Sequence, residues 1–171
     1  MQLIEVQAGN CTGCRLCEMA CSLVHEGECS TARSRIRVFR DEEFGNNLIS
    51  VCLHCADPCC IESCLYGALN RDSATGVVRV DTRLCIGCGD CIVACPLSIL
   101  DKDRATVLKC DLCGGDPECV KVCFSGALVL KDLDPGAPAR KSLRDETSQL
   151  LQQMQGAGKP GNRATSNLGG G

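Results

Sequence analysis

Short runs of alternating apolar and polar positions occur along the first 131 residues and predict short, half-buried strands. Residues 34–39 alternate arginine with apolar side chains, and similar runs follow at 75–81 and 104–109. We expect a strand at each place, the first with a basic outer face. The intervals 17–21 and 91–95 separate pairs of cysteines by three residues and suit the first turn or two of short helices.

The pattern changes after Leu133. Residues 132–138 contain two prolines and a glycine, which predicts a linker. Residues 139–155 are good helix formers with their apolar residues on one side, and the glycine-rich stretch 156–171 predicts a disordered tail. The apolar residues of the predicted helix are Leu143, Leu150, Leu151 and Met154.

The apolar side of that helix needs a partner, because a lone helix of this length is marginal in water. The partner can be a groove in the same chain, a different subunit or a second copy of this chain. We expect residues 139–155 to be a docking helix between chains, with a homo-oligomer ahead of a contact to a different subunit.

Composition changes this picture, because 18 of the 171 residues are cysteine and only three Phe and one Tyr are aromatic. Aromatic side chains normally supply the largest burials in a core, so something besides side-chain packing must hold the chain. The net charge of −3 argues against nucleic-acid binding. The N-terminus shows no export signal and no stretch approaches a membrane span, so we expect a cytoplasmic protein without direct membrane insertion.

Sixteen of the cysteines fall into four groups, which together form an internal repeat. The first and third groups share the spacing C-x2-C-x2-C-x3-C; they are Cys11, Cys14, Cys17, Cys21 and Cys85, Cys88, Cys91, Cys95. The second and fourth groups are looser; they are Cys52, Cys55, Cys59 or Cys60, Cys64 and Cys110, Cys113, Cys119, Cys123. Gly-Ala-Leu follows soon after both looser groups, at 67–69 and 126–128, and predicts a tight turn into a short strand.

The C-x2-C-x2-C-x3-C spacing is that of bacterial ferredoxins, in which three thiolates bind one 4Fe-4S cluster and the fourth binds the other cluster of a pair. Four groups supply sixteen ligands, enough for four clusters. A disulfide framework fits the cysteines less well, because it has no need of this regularity and the chain lacks an export signal. A zinc site fits less well too, because it does not account for a third cysteine at the same interval.

Residues 1–131 resemble the four-cluster, ferredoxin-like iron-sulfur subunits of the dimethyl sulfoxide reductase family. The matching segments are CTGCRLCEMAC, CLHCADPCCIESCLYGAL, CIGCGDCIVACP and KCDLCGGDPECVKVCFSGAL. In that family the second group runs C-x2-C-x4-C-x3-C, commonly with two prolines before the third ligand. Cys59 occupies the place of the second proline, so the resemblance implies that Cys60 is the ligand and Cys59 a spare. Proline often follows the fourth cysteine of a group; Pro96 conforms and Ser22 departs from this pattern.

The resemblance implies an α+β fold of tandem bacterial-ferredoxin-like modules in a nested pair, with small β-ribbons, short helices and a C-terminal extension helix. The inner module spans about 50–100, and the outer module combines 1–30 with 104–131. Four 4Fe-4S clusters would lie in a line. The implied ligand sets are Cys11, Cys14, Cys17 with Cys123; Cys110, Cys113, Cys119 with Cys21; Cys52, Cys55, Cys60 with Cys95; and Cys85, Cys88, Cys91 with Cys64.

The resemblance also implies a non-catalytic electron-transfer subunit, which relays single electrons between a catalytic oxidoreductase subunit and a flavin subunit or soluble ferredoxin. Residues 11–38 are most similar to the small subunits that accompany tungsten-dependent aldehyde oxidoreductases. Similar subunits serve carbon monoxide dehydrogenases, hydrogenases and formate dehydrogenases. A non-redox zinc-binding scaffold and a free polyferredoxin are the competing classes. The chain shows no nucleotide-binding loop and no catalytic triad pattern.

Several residues outside the ligand sets also carry candidate chemistry. Cys29 is expected to be a free thiol. His54, between two ligands, either tunes a cluster through a hydrogen bond or, as we favour, is a solvent-facing spacer. His25 is expected to be structural rather than a ligand. Four arginines form a basic face that we expect to be solvated; they are Arg33, Arg35, Arg37 and Arg40. The alternative role for this face is to dock a partner or to offset the negative charge of the clusters.

Overall fold

The computed structural model describes residues 2–40, 47–97, 99–103, 106–132 and 138–157. The described residues form eight short strands: β1 (Gln2–Val6), β2 (Ile36–Arg40), β3 (Asn47–Val51), β4 (Leu69–Arg71), β5 (Val78–Val80), β6 (Asp101–Asp103), β7 (Thr106–Leu108) and β8 (Leu128–Asp132). They also form five α-helices: α1 (Leu16–Glu26), α2 (Cys59–Glu62), α3 (Asp90–Ala94), α4 (Glu118–Lys121) and α5 (Pro138–Ala157). Residues 133–137 of the predicted linker and 158–171 of the predicted tail lie outside the described residues.

The described strands pair into four antiparallel ribbons of two strands each: β1 with β8, β2 with β3, β4 with β5, and β6 with β7. The strands predicted at 34–39, 75–81 and 104–109 are confirmed as β2, β5 and β7, and β5 is shorter than predicted. Residues 104 and 105 of the third run lie outside the described residues. The β1–β8 ribbon joins the two ends of the cysteine-containing region and places Gln2 opposite Asp132. The sequence pattern carries no signal for this long-range pairing.

The two Gly-Ala-Leu segments form the predicted turns. Gly67 and Gly126 have φ angles of +63° and +70°, in the left-handed region that glycine enters without steric cost. Each donates its backbone N–H at 3.1 Å to the carbonyl of the preceding cysteine, Cys64 or Cys123. The chain leaves these turns as β4 and β8, so each turn fixes the last cysteine of a looser group relative to a ribbon.

The helices predicted between cysteine pairs are present as α1 and α3, and they differ in length. Helix α3 ends at Ala94, because Pro96 cannot continue a helix and disfavours helical backbone in the residue before it. Ser22 has no such effect, and its hydroxyl donates to the carbonyl of Met19 at 3.0 Å. Helix α1 therefore continues to Glu26. The departure from the family pattern at Ser22 lengthens this helix.

The described core consists of three apolar clusters, and cysteines contribute to each. The largest cluster packs β1 and β8 against β2 and β3 and includes Cys17, Cys21 and Cys119. The second cluster packs β4, β5 and β7 around Cys91. The third cluster contains Cys52, Leu53, Leu97 and Ile99. Cysteine side chains therefore take core positions that larger apolar residues fill in ordinary domains.

Three of the four arginines of the predicted basic face are paired with acidic side chains of the same chain, which corrects the expectation of a solvated face for them, whereas Arg40 is exposed. Arg35 donates to Glu26 at 2.9 Å, and Arg33 lies 3.4 Å from the same glutamate. Arg37 donates to Asp101 on β6 at 2.7 Å. These three arginine side chains are only 15–20% exposed. Their ion pairs connect β2 and the segment before it to α1 and β6.

The C-terminal helix is present as predicted and runs slightly further, from Pro138 to Ala157. It lies against β3 of its own chain. Leu151 is 2% exposed, whereas Leu150 is 47% exposed. The expectation that this helix side stays free for another chain is wrong for Leu151, because burial within one chain avoids the entropy cost of association. The side chains of Leu143 and Met154 lie outside the described part of the chain.

Candidate metal centres

The loops that carry the first two cysteines of each group share one backbone feature. The residue just before the second cysteine has a positive φ in all four loops: +68° at Gly13, +46° at His54, +66° at Gly87 and +58° at Leu112. This conformation costs a residue with a side chain about 1–2 kcal/mol. Its recurrence at one position, twice without glycine, shows that the internal repeat of the sequence is also a repeat of backbone geometry.

Three cavities of similar volume, about 300, 350 and 380 Å³, lie beside these loops. In each cavity, three cysteines of one group meet the last cysteine of another group, as the resemblance implies. Site 1 contains Cys11, Cys14, Cys17 and Cys123. Site 3 contains Cys52, Cys55, Cys60 and Cys95, with Cys59 also on its wall. Site 4 contains Cys64, Cys85, Cys88 and Cys91.

The remaining four predicted ligands form site 2; they are Cys21, Cys110, Cys113 and Cys119. Helix α1 lies against α4, which brings Cys21 beside Cys119. Cys113 and Cys110 are also electrostatic neighbours of Cys119. Neighbouring sites share an apolar cluster: site 1 with site 2, site 2 with site 3, and site 3 with site 4. The four sites therefore follow one another in a row.

The first loop of site 1 is held from its outer side. Arg40 on β2 donates through Nε to the carbonyl of Gly13 at 3.0 Å, and Asn47 donates to the carbonyl of Cys11 at 3.0 Å. The N–H of Gly13 donates to Cys11 Sγ at 3.4 Å. The φ of +68° favours glycine at this position, and a Cβ atom there would also lie 2.5 Å from Asn47 Oδ1, so the asparagine side chain would have to move. The carbonyls of Gly13 and Cys11 therefore accept hydrogen bonds from side chains, while the amide of Gly13 donates a hydrogen bond to the ligand sulfur.

The first loop of site 3 is organised in the same way. The N–H of His54 donates to Cys52 Sγ at 3.5 Å. Arg71 on β4 donates to the carbonyl of Ala56 at 3.2 Å and also to the carbonyl of Cys55. The guanidinium fork suits this role, because its several donors reach adjacent carbonyls at once. Arg71 was not among the residues singled out from the sequence, and Arg40 was expected to belong to a solvated basic face. The two lie on separate ribbons, so the cysteine spacing does not reveal their contacts with the loops.

Most of the predicted ligands are thiols in apolar surroundings. Burial raises the pKa of Cys17 and that of Cys60 to about 12, and it raises the pKa of Cys95 to about 11. Such thiols are protonated at neutral pH, and a metal must displace the proton when it binds. Four thiols per site, with no carboxylate in the ligand set, match the donor chemistry of a 4Fe-4S cluster. A bound cluster supplies one-electron redox chemistry.

Two polar side chains beside site 3 are buried: His54 is 1% exposed and Lys109 is 5% exposed. The preferred interpretation of His54 as a solvent-facing spacer is therefore wrong. Its Nδ1 accepts the N–H of Val78 at 3.1 Å, which ties the loop to β5. Lys109 was not among the predicted site residues. The available signal was its position between the apolar end of β7 and the ligand Cys110.

Lys109 changes the chemistry of one sulfur. Its Nζ donates to Cys52 Sγ at 3.1 Å. Burial alone would raise the pKa of Cys52, but the Lys109 ammonium and the neighbouring His54 lower it to about 5. The pKa of Cys52 is therefore shifted in the opposite direction to those of Cys17, Cys60 and Cys95.

The remaining candidate residues lie beside or outside the four sites. His25 Nε2 lies 3.5 Å from Cys113 Sγ and 3.4 Å from Asp111 Oδ1, so this histidine supports site 2 from α1. Burial and the charge of Arg35 lower the pKa of His25. Cys29 is exposed and belongs to none of the four sites. The described residues include all 18 cysteines, and all are free of disulfides.

Residues 43–133 match the family model of the 4Fe-4S dicluster domain. The chain belongs to this family and binds multiple 4Fe-4S clusters. Its relatives are iron-sulfur electron-transfer subunits of oxidoreductases. The chain is accordingly a non-catalytic electron-transfer subunit.

Particular relatives extend the comparison beyond the family model. The chain is 45% identical to the polyferredoxin-like subunit of the aliphatic sulfonate oxidoreductase of Pyrococcus furiosus, over 70% of either chain. It is 32% identical to the thiosulfate reductase electron transfer subunit PhsB of Salmonella typhi, over 86% of this chain and 84% of that one. It is 39% identical to the beta subunit of the NADH-dependent phenylglyoxylate dehydrogenase of Aromatoleum evansii, but spans only 29% of that subunit.

Among solved structures, the chain is similar to a chain of the active site complex BamBC of benzoyl coenzyme A reductase, with a TM-score of 0.48 and 23% identity. The similarity covers 90% of this chain and 96% of that chain. Within the described residues, no helix combines the length and the apolar composition needed to cross a membrane.

Proposed function

We propose that this chain relays single electrons through four 4Fe-4S clusters, one in each of sites 1 to 4, between a catalytic oxidoreductase subunit and a second redox partner. The proposal depends on one observation: sixteen cysteines are arranged as four sites, and each site shares an apolar cluster with the next site in the row. Such a row lets an electron pass from one end of the molecule to the other. The nested pair of ferredoxin modules and the dimethyl sulfoxide reductase subfamily are part of this proposal.

The two ends of the row have the properties of electron-exchange surfaces. Cys14 in site 1 and Cys88 in site 4 are exposed, whereas none of the ligands proposed for sites 2 and 3 is exposed. Apolar side chains are also exposed beside the end sites: Phe124 next to Cys123 is 72% exposed, and Leu65 is 86% exposed. Partners that dock at these ends would reach a cluster without entering the protein.

Iron analysis tests the number of clusters. Anaerobically purified chain is expected to be brown and to contain about sixteen iron and sixteen sulfide per molecule, with a colour that dithionite bleaches. A zinc-binding scaffold would be colourless and would contain zinc in place of iron. About eight iron per chain would contradict the four-cluster proposal and leave a single pair of clusters.

For the catalytic partner we propose a tungsten-dependent aldehyde oxidoreductase, with a flavin subunit or a soluble ferredoxin as the second partner. The support is the similarity of residues 11–38 to the small subunits of those enzymes. The Pyrococcus furiosus relative is named as a subunit of an aliphatic sulfonate oxidoreductase. Anaerobic co-purification should therefore be followed by tungsten analysis and by assays with an aldehyde and with an aliphatic sulfonate. A partner without tungsten would contradict this assignment.

We also propose that copies of the chain associate through the exposed side of α5. The support is Leu150, which stays 47% exposed although the other side of the helix docks on its own chain. Leu150→Asp is expected to lower the mass measured by anaerobic light scattering, because a charge opposes burial in an apolar contact. Gln149→Asp, a charge at the neighbouring position, is the matched control. Equal masses for wild type and Leu150→Asp would exclude assembly through this side.

A further inference from the structure

A buried lysine lies between sites 2 and 3. Lys109 follows β7 directly and precedes Cys110, a proposed ligand of site 2, while its ammonium reaches Cys52, a proposed ligand of site 3. Only 5% of the residue is exposed. Lysine is almost never fully buried unless it is paired, so the partners of its ammonium determine what it does.

The three N–H donors of this ammonium have three acceptors. Lys109 Nζ lies 2.7 Å from the carbonyl oxygen of Val78, 3.1 Å from Cys52 Sγ and 3.2 Å from the carbonyl oxygen of Cys110. His54 Nδ1 is 3.5 Å away and already accepts the N–H of Val78. Within the described part of the chain, no carboxylate pairs with Lys109. The sulfur in hydrogen-bond contact with this buried ammonium is that of Cys52, and a cysteine that ligates a metal does so as the thiolate.

The other ligand sulfurs have different partners. Cys11 Sγ accepts from the backbone N–H of Gly13 at 3.4 Å, and Cys21 Sγ accepts from the backbone N–H of Arg35 at 3.3 Å. These amide donors carry no net charge. Among the described ligand sulfurs, Cys52 alone accepts a hydrogen bond from an ammonium. Lys109 also donates to the backbone carbonyl of Cys110 in site 2, and His25 Nε2 lies 3.5 Å from Cys113 Sγ there, but the ammonium contacts a ligand sulfur at site 3.

We propose that Lys109 gives site 3 the highest reduction potential of the four sites, so that the first electron to enter the chain resides there. This inference rests on the proposed function, since it requires a cluster in each site. Lys109 does not exchange electrons; it is a residue that tunes the site through Cys52.

The physical reason is the change of charge on reduction. One electron from the redox partner, or from dithionite in an experiment, adds one negative charge to the site, with no bond broken and no proton transferred. A positive charge in hydrogen-bond contact with a ligand sulfur stabilises the more negative state, and burial limits the screening of that interaction by water. The backbone amides at sites 1 and 2 provide a weaker stabilisation of the same sign.

The position of site 3 in the row gives a functional consequence to its preference for the first electron. Site 3 is an inner member of the row, with site 4 on one side and site 2 on the other. An electron held at an inner site is separated from solvent, because none of the ligands proposed for sites 2 and 3 is exposed. The chain would therefore retain its first electron between encounters with its two partners.

The test is a redox titration of the cluster-loaded chain, followed by electron paramagnetic resonance. Lys109→Met removes the charge and keeps the length of the side chain. We expect the first reduction step to become at least tenfold less favourable, about 59 mV lower for a one-electron couple. Lys109→Arg, which keeps the positive charge, is expected to preserve the first step. Lys131→Met is the matched control, since Lys131 is a 45% exposed lysine that pairs with Glu5. In this variant the equilibrium constant of the first reduction step should change less than twofold.

An unchanged first step in Lys109→Met, with the iron content of the wild type, overturns the proposal. So does an equal shift of all steps, because the preference must be local to one site. If Lys109→Met loses iron, the proposal is tested instead on wild-type protein labelled with ¹⁵N-lysine. Pulsed resonance should then detect a lysine nitrogen coupled to the cluster that is reduced first, and a missing coupling overturns the proposal. The iron content of the wild type is measured first. A content well below about sixteen iron per chain would contradict the four-cluster proposal itself, independently of the role of Lys109.

Discussion

Chain from which the clusters have been removed is expected to be unfolded. Among the described residues the buried core contains no Phe or Tyr side chain, and one of its three apolar clusters consists of Cys52, Leu53, Leu97 and Ile99. The ribbons are strands of three to five residues in pairs, and an isolated two-stranded ribbon is marginal in water. Structural zinc sites contribute about 10–16 kcal/mol each to folding, whereas whole domains are stable by about 5–15 kcal/mol. A contribution on this scale from each iron-sulfur site would make the loss of one site comparable to the stability of a whole domain.

Anaerobic removal of iron, followed by far-ultraviolet circular dichroism, measures this effect. The helical signal should fall, and cooperative thermal unfolding should disappear. Reconstitution with iron and sulfide should restore both, since the ligands remain in the chain. Cys29→Ser is the control, because Cys29 is exposed and belongs to none of the sites. Cluster-free chain with a native spectrum and a cooperative transition would show that side-chain packing alone is sufficient.

Features that depend on residues close together in the chain were predictable from the sequence. The Gly-Ala-Leu turns, the strands β2, β5 and β7, and the helices between cysteine pairs all follow from local spacing and periodicity. The recurrence of one loop geometry at Gly13, His54, Gly87 and Leu112 has the same origin. A repeat of ligand spacing requires a repeat of backbone geometry, because the sulfurs of each loop must converge.

Long-range contacts could not be predicted in this way. Nothing in the sequence of β1 identifies β8 as its partner, since antiparallel ribbons can form between many short apolar segments. The buried Lys109 was missed because lysine is normally exposed, and His54 because the environment of a ligand loop depends on what packs over it. Arg35 and Arg37 were expected to face solvent, because their partners Glu26 and Asp101 lie on other elements.

Substitution of two adjacent cysteines, Cys59 and Cys60, is expected to affect the iron content differently. Cys60→Ser should lose one cluster, about four of sixteen iron, or convert it to another form, whereas Cys59→Ser should keep all of the iron. Both residues line site 3, but they are neighbours at the start of α2, where successive side chains point about 100° apart. One helix can therefore direct only one of them at a cluster.

The hydrogen bond of Cys59 identifies which one. Cys59 Sγ donates to the carbonyl of Ala94 at 3.2 Å. This contact directs the sulfur of Cys59 at a backbone carbonyl of α3 rather than at the other cysteines of site 3, which supports Cys60 as the ligand. Serine at position 59 keeps the donor, and this variant should retain iron and spectrum. Serine at position 60 replaces a soft sulfur ligand with a hard oxygen, which suits iron-sulfur clusters poorly. Iron loss from Cys59→Ser with full iron in Cys60→Ser would reverse the assignment and make Cys59 the ligand of site 3.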